Sequence, residues 1–319
     1  MKIACTGSIA FDYLMTFPGS FKENILPEQL EKVSLSFLVD SMVRQRGGVA
    51  ANIAYTLALL GVEPFLVATA GEDFTEYQAA LEGIGVNTED VRIVPGKFTA
   101  SFFVTTDKNN AQIASFYTGA MANASEIMLN ELKIKPDLVI ISPNDPTAMV
   151  RYAEECQQLG IPYVYDPSQQ IVRMAGSDLR KGVEGAFALF VNEYEFELLR
   201  KHTGLSQEDI LQQVKFMVVT RGELGATIYT EGKEYIIPIV PASQIVDPTG
   251  VGDAFRGGFL TGYAADLDWE VCGKMGALAA TYCLEQKGPQ SHHYTPVEFI
   301  RRYHQFFTDH GDLDVLLKK

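Results

Sequence analysis

The chain has 319 residues, 47% hydrophobic and 21% charged, which suits a large buried core and excludes an intrinsically disordered composition. Its net charge is −14, from 26 basic and 40 acidic residues, which excludes a nucleic-acid partner that needs a basic face. A small phosphorylated substrate stays open, because the positive end of one helix is enough to hold a phosphate.

Taken from the N-terminus, "KIACTG" reads as a short buried strand ending at a glycine. "GGVAANIAYTLALLG" reads as a helix of small residues stopped by Gly61, "EPFLVATAG" as an apolar strand and "EDFTEYQAALEGIG" as a helix. The alternation resumes with "PDLVIIS", "PTAMVRYAEECQQLG", "IPYVYD", "GAFALFVN", "EYEFELLRKHTG" and "KFMVVT". Next come a hairpin, "GATIYTEGKEYIIP", a strand ending at Val246, a loop and helix, "DPTGVGDAFRGGFLTGYAA", and the helix "DWEVCGKMGALAATYCLEQKG". Strand–helix alternation of this kind predicts a mostly parallel sheet with crossover helices, in one domain spanning 1–319. Two segments break the rhythm, about 13–45 and 97–118. The second alternates and turns at Lys108–Asn110, so the two inserts fit either plain surface hairpins or a small β-sheet covering the cleft. The exposed edge of such a sheet would suit a homodimer contact.

Cys5, Cys156, Cys272 and Cys283 are scattered without a C-x-x-C pair, so buried thiols are expected rather than zinc or disulfides. The N-terminus lacks a signal-peptide pattern and no run reaches the length of a membrane span, which predicts a cytoplasmic protein.

The chemistry concentrates in "VDPTGVGDAF". Gly250-Val251-Gly252 lets successive backbone N–H groups point one way, and Asp253 stands at the start of a helix. The glycine spacing matches neither a P-loop nor the dinucleotide fingerprint. Asp253 suits a helix cap or a base for an alcohol beside an anion nest. "NEYE" supplies Asn192 and Glu195, which suit a capping box or Mg²⁺ held through water. "TRGELG" places Thr220 before Gly222 and Gly225, where it suits a hairpin turn or a nucleotide phosphate. Asp12, after a Gly-Ser strand end, and Asn52, after Gly47-Gly48, suit turn caps or the hydroxyls of a sugar.

In this order "GSIAFD", "GGVAANIA", "NEYE", "TRGELG" and "DPTGVGDAF" resemble the ribokinase-like sugar-kinase superfamily, which includes ribokinase and adenosine kinase. The resemblance runs from Gly7 to about Gln290. Its detail is most similar to the bacterial-type adenosine kinases, in "KVSLSFLVD", "RGGVAAN", "AQIASFY" and "DPSQQIVR". It implies a three-layer α/β sandwich with a β lid, and transfer of the γ-phosphoryl group of ATP to the 5′-hydroxyl of adenosine. It implies Asp253 as base and Gly250, Val251 and Gly252 as anion hole. Asp12 would hold the ribose hydroxyls, helped by Gly48 and Asn52, with Ser8 and Ser36 near the nucleoside. Phe102 and Phe116 would sandwich the purine, or else pack the lid core; Gln169, Gln170 and Arg173 would border the acceptor. Asn192, Glu195, Thr220, Gly222 and Gly225 would serve ATP and Mg²⁺. K⁺ would sit near Asp247 and Thr249. Pro248 and Val251 depart from the commonest form of the motif, and Pro248 removes a donor where the cation would lie. Alternative readings are a kinase of ribose, fructose or another nucleoside, and a catalytically silent nucleoside-binding protein.

Overall fold

The structure is a computed structural model that describes residues 1–25, 31 and 34–317. Part of the expected insert 13–45, and the first two residues of "KVSLSFLVD", lie outside the described residues. The strands are β1 (Ile3–Thr6), β2 (Ala10–Thr16), β3 (Ser41–Gly47), β4 (Phe65–Ala70), β5 (Val91–Ile93), β6 (Ala100–Thr106), β7 (Gln112–Tyr117), β8 (Leu138–Ile141), β9 (Tyr163–Tyr165), β10 (Ala188–Asn192), β11 (Phe216–Thr220), β12 (Ala226–Thr230) and β13 (Lys233–Ile237). The helices are α1 (Phe21–Asn24), α2 (Val49–Leu59), α3 (Thr75–Glu82), α4 (Pro146–Leu159), α5 (Gly176–Val183), α6 (Glu193–Thr203), α7 (Gln207–Gln213), α8 (Val251–Ala264), α9 (Trp269–Leu284) and α10 (Pro296–Phe306).

The described residues form a nine-stranded sheet in the order β13-β12-β11-β10-β9-β8-β1-β4-β5. It is parallel from β11 to β5, with β12 and β13 added as an antiparallel edge. Central strands such as β8 are apolar and buried along their whole length, as a sheet covered on both faces requires. One face packs α2, α8 and α9 around Leu57, Phe259 and Met275; the other packs α4, α5, α6 and α7 around Tyr152, Leu179, Leu199 and Ile210. The expected three-layer α/β sandwich is therefore present.

Two glycines let the layer on the first face close. A Cβ on Gly257 would lie 2.6 Å from Thr56 of α2, and one on Gly258 would lie 2.6 Å from the Met275 carbonyl of α9. "RGGF" is thus glycine-rich because α8 is pressed between two helices.

The small sheet runs β3-β2-β6-β7. β2–β3 and β6–β7 pair antiparallel, and a parallel β2–β6 pairing joins them. The two inserts therefore build one sheet, although β2 and β3 begin and end slightly outside 13–45, at Ala10 and Gly47. Asp12 lies within β2, not at the end of the first strand. The expected strand ending at Val246 is absent: residues 238–250 form no strand. Pro238, Pro241 and Pro248 lack the N–H groups a ladder needs, and Val246 is exposed, its N–H bonded to the Leu284 carbonyl.

Candidate active site

β1, β8, β9, β10 and β11 all end on the same edge of the large sheet, and β1 stands where the strand order reverses. A ligand crevice is expected there. A cavity of about 510 Å³ occupies it, reaching from the small sheet to the start of α8. Ser8 follows β1, and Gly48, Val49 and Asn52 open α2 beside it. Gly48 has φ +94°, and a Cβ there would lie 2.5 Å from the Ser8 carbonyl. Only glycine lets α2 start so close to the β1 end. Asp12, Phe102 and Phe116 reach the cavity from β2, β6 and β7. Phe102 and Phe116 are direct cross-strand partners, so their rings share one face of the sheet. Gln169, Gln170 and Arg173 line the cavity from the turn after β9, Asn192 and Glu195 from the β10–α6 junction, and Thr220 from the end of β11.

At the far wall stand Thr249, Gly250, Gly252 and Asp253. Gly250, with φ +78°, is the N-cap of α8, and the Asp253 side chain makes no capping bond. The cap reading of Asp253 is thereby removed. Its Oδ2 accepts from Asn52 Nδ2 at 2.8 Å, and its Oδ1 lies 3.8 Å from Arg256 Nη1. Burial pushes the carboxyl up to about 6, against the opposing pull of Arg256 and Asn52. The first-turn N–H groups of Gly252 and Asp253 have no acceptor within the helix, whereas the Val251 N–H reaches the Pro248 carbonyl at 3.4 Å. The nest thus rests more on Gly252 and Asp253 than on Val251.

Asn192 and Glu195 do form a capping box: Asn192 Oδ1 accepts from Glu195 N and Glu195 Oε2 from Asn192 N, both at 2.8 Å. Ser168 donates to the other Glu195 oxygen at 3.1 Å. The pair is exposed at the cavity with lone pairs to spare, which fits Mg²⁺ held through water. A second cavity of about 780 Å³ adjoins the first through Asn192, Thr220 and Gly252. Gly222, Gly225 and Val251 line it, together with apolar Ile239, Ile245 and Phe255.

Two expected residues fall elsewhere. Ser36 is exposed in an extended segment and lines neither cavity. Asp247 lies behind the loop, its two oxygens accepting from Thr249 N at 2.9 Å and Gly288 N at 3.0 Å. Among the described residues no cluster of three His, Cys, Asp or Glu side chains is placed to hold a metal ion, and no helix is long and apolar enough to cross a membrane.

Sequence reasoning missed Arg256 and Asp166. Arg256 lines the cavity and donates from Nη2 to Asp166 Oδ1 at 2.6 Å. Asp166 is fully buried, and burial raises its carboxyl to about 7 despite Arg256. A lone arginine in the otherwise small and apolar "DAFRGGFLTG" is the signal that points to it, since a buried cation needs a partner.

The sequence pattern of the pfkB family carbohydrate kinases matches residues 4–295. A nucleoside kinase of Methanocaldococcus jannaschii is 31% identical over 292 residues, 91% of this chain and 92% of that protein. The structure of Burkholderia thailandensis nucleoside kinase in complex with inosine superposes with a TM-score of 0.85 at 38% identity, covering 96% of this chain and 98% of that one. The same kinase in complex with ADP-inosine gives 0.83 at 39% identity, with 96% of each chain covered. These relatives carry the broader name of nucleoside kinase, not adenosine kinase.

Proposed function

The chain belongs to the pfkB family of carbohydrate kinases, and on that premise we propose that it is an ATP-dependent nucleoside kinase that phosphorylates the 5′-hydroxyl of a purine nucleoside, adenosine and inosine being the acceptors to test first. The observation that carries this reading is the Phe102–Phe116 pair, set opposite one another on the sheet that faces Asp253 across the cavity. Two aromatic faces suit a flat base better than a free sugar, which has no π-face of its own to stack. The Burkholderia thailandensis relative, seen in complex with inosine and with ADP-inosine, supports it.

In this reading Asp12 accepts hydrogen bonds from the ribose 2′- and 3′-hydroxyls. Asp253 takes the 5′-hydroxyl proton while that oxygen bonds to the γ-phosphorus, and the bond from phosphorus to the bridging oxygen of ADP breaks. The N–H groups of Gly252 and Asp253 and the guanidinium of Arg256 face the charge on the moving phosphoryl group. The nucleotide lies in the second cavity, its phosphates toward Thr220 and its base on the apolar wall of Ile239, Ile245 and Phe255. Asn192 and Glu195 would hold Mg²⁺ through water; when bound, the ion neutralises phosphate charge. K⁺ would face Asp247 and Thr249, but both Asp247 oxygens already accept backbone N–H groups, so no step is assigned to it.

The small sheet acts as the lid, and its exposed β7 edge is the proposed homodimer contact, which light scattering tests. Following ADP release with adenosine, inosine, ribose and fructose tests the function itself. Turnover with purine nucleosides supports it, and turnover with ribose or fructose alone overturns it in favour of a sugar kinase.

A further inference from the structure

Behind Asp253 runs a chain of hydrogen bonds that leads away from the cavity. Asn52 Nδ2 donates to Asp253 Oδ2, and Asn52 Oδ1 accepts from Gln290 Nε2, both at 2.8 Å. Gln290 Nε2 also donates to the Tyr77 hydroxyl, which in turn donates to the Gly47 carbonyl at 2.8 Å. Asn52 and Tyr77 are buried, and Gly47 is the last residue of the lid strand β3. Gln290 is held beside the site because Pro289 packs on Gly250, where an added Cβ would lie 2.3 Å from the proline.

The direction of every bond in this chain follows from its far end. A backbone carbonyl only accepts, so the Tyr77 hydroxyl must spend its hydrogen on Gly47 and present an oxygen to Gln290. Gln290 must then turn its amino group, not its carbonyl, toward Tyr77. The second hydrogen of that amino group goes to Asn52 Oδ1. Asn52 is left with its amino group facing Asp253, where a reversed amide would set oxygen against carboxylate. We propose that Gln290 is a positioning residue for the phosphoryl-transfer step. It fixes the Asn52 amide so that a donor faces one oxygen of Asp253, and the root of the lid orients it through Tyr77. The proposal rests on Asp253 being the base, as in the function proposed above.

The test is a double-mutant cycle of Gln290→Met and Asn52→Ala. It is assayed with whichever acceptor the wild type turns over fastest from a panel of nucleosides and sugars, and thermal unfolding is followed in parallel. Gln290→Met is expected to lower kcat about tenfold, the effect of about one hydrogen bond, with acceptor KM moving less than about twofold. In the Asn52→Ala background it should cause no further loss, because its effect passes through Asn52. An equal fold loss in both backgrounds, or a loss confined to KM, overturns the proposal.

Gln290→Glu reads the same claim if the Asn52 variant does not fold. A carboxylate there accepts from Asn52 and reverses its amide. Its own charge also raises Asp253, so Gln290→Met, which frees the amide without adding charge, is profiled beside it. Arg256, Asp166 and Glu195 around the base are unchanged in both. The acid limb of the kcat profile should move to higher pH in both, and an unmoved limb in Gln290→Met overturns the proposal. A wild type that prefers a free sugar would end the nucleoside reading yet leave this comparison intact, since Asp253 takes the proton from whichever alcohol is bound.

Discussion

In the proposed reaction Asp253 meets two opposing demands, ionisation to act as the base and burial against solvent. Its carboxyl is raised from 3.8 to about 6 by burial, so the folded chain holds the proton more tightly than the unfolded chain. Its contribution to stability is therefore full below about pH 4 and lost as pH rises through about 6. Turnover runs the other way, since only the ionised carboxylate takes a proton. Asp253→Asn should lower kcat by about 10²–10⁴, the usual worth of a general base. At about pH 7.5 it should also raise the unfolding temperature, a gain that disappears toward pH 4. Kinase assays and thermal unfolding across pH measure both.

Arg256→Ala removes the cation that holds the buried Asp166 carboxyl down to about 7, so that carboxyl rises further. The variant should lose up to about 3 kcal/mol by denaturant unfolding above about pH 8. The loss should shrink as pH falls below 7, where Asp166 is protonated with or without Arg256. For Asp253 the local motif left a helix cap or a base open, and only the resemblance of five motifs in order implied the base. Arg256, Asp166 and Gln290 were not legible, because each acts through a partner at least 90 positions away or through a chain of such partners.

At the scale of elements, hydrophobic periodicity was enough to read most of the alternating strands and helices, but the short β5, α5 and α7 and the C-terminal α10 were passed over. It failed at Val246, where an apolar run is interrupted by prolines that supply no ladder donors. The two inserts were readable as possible partners in one small sheet, but not the direction and register that join them, since the parallel β2–β6 contact links segments about 90 residues apart. That contact hangs β6 and β7 over the same cavity that Asp12 enters from β2, where the Phe102–Phe116 pair is proposed to stack on the base. Phe102→Ala or Phe116→Ala should each raise nucleoside KM by roughly 5–150-fold, matching about 1–3 kcal/mol of stacking, with a smaller change in kcat. Equal effects on kcat and stability without a change in KM would place both rings in lid packing instead.

Over the whole molecule, the fold sets the cavity proposed for the acceptor under a small sheet beside the one proposed for the nucleotide, with the N-terminus of α8 between them. Such an arrangement protects ATP only if transfer waits for the acceptor to fill the first cavity and the sheet to close over it. ATP hydrolysis without acceptor should accordingly be far slower than ADP release with it, and rapid hydrolysis in the absence of acceptor would contradict gating by the small sheet. The most direct measurement is ADP release with saturating ATP across adenosine, inosine, other nucleosides, ribose and fructose. Purine nucleosides should give the highest kcat/KM, and ribose or fructose exceeding every nucleoside would contradict a nucleoside kinase.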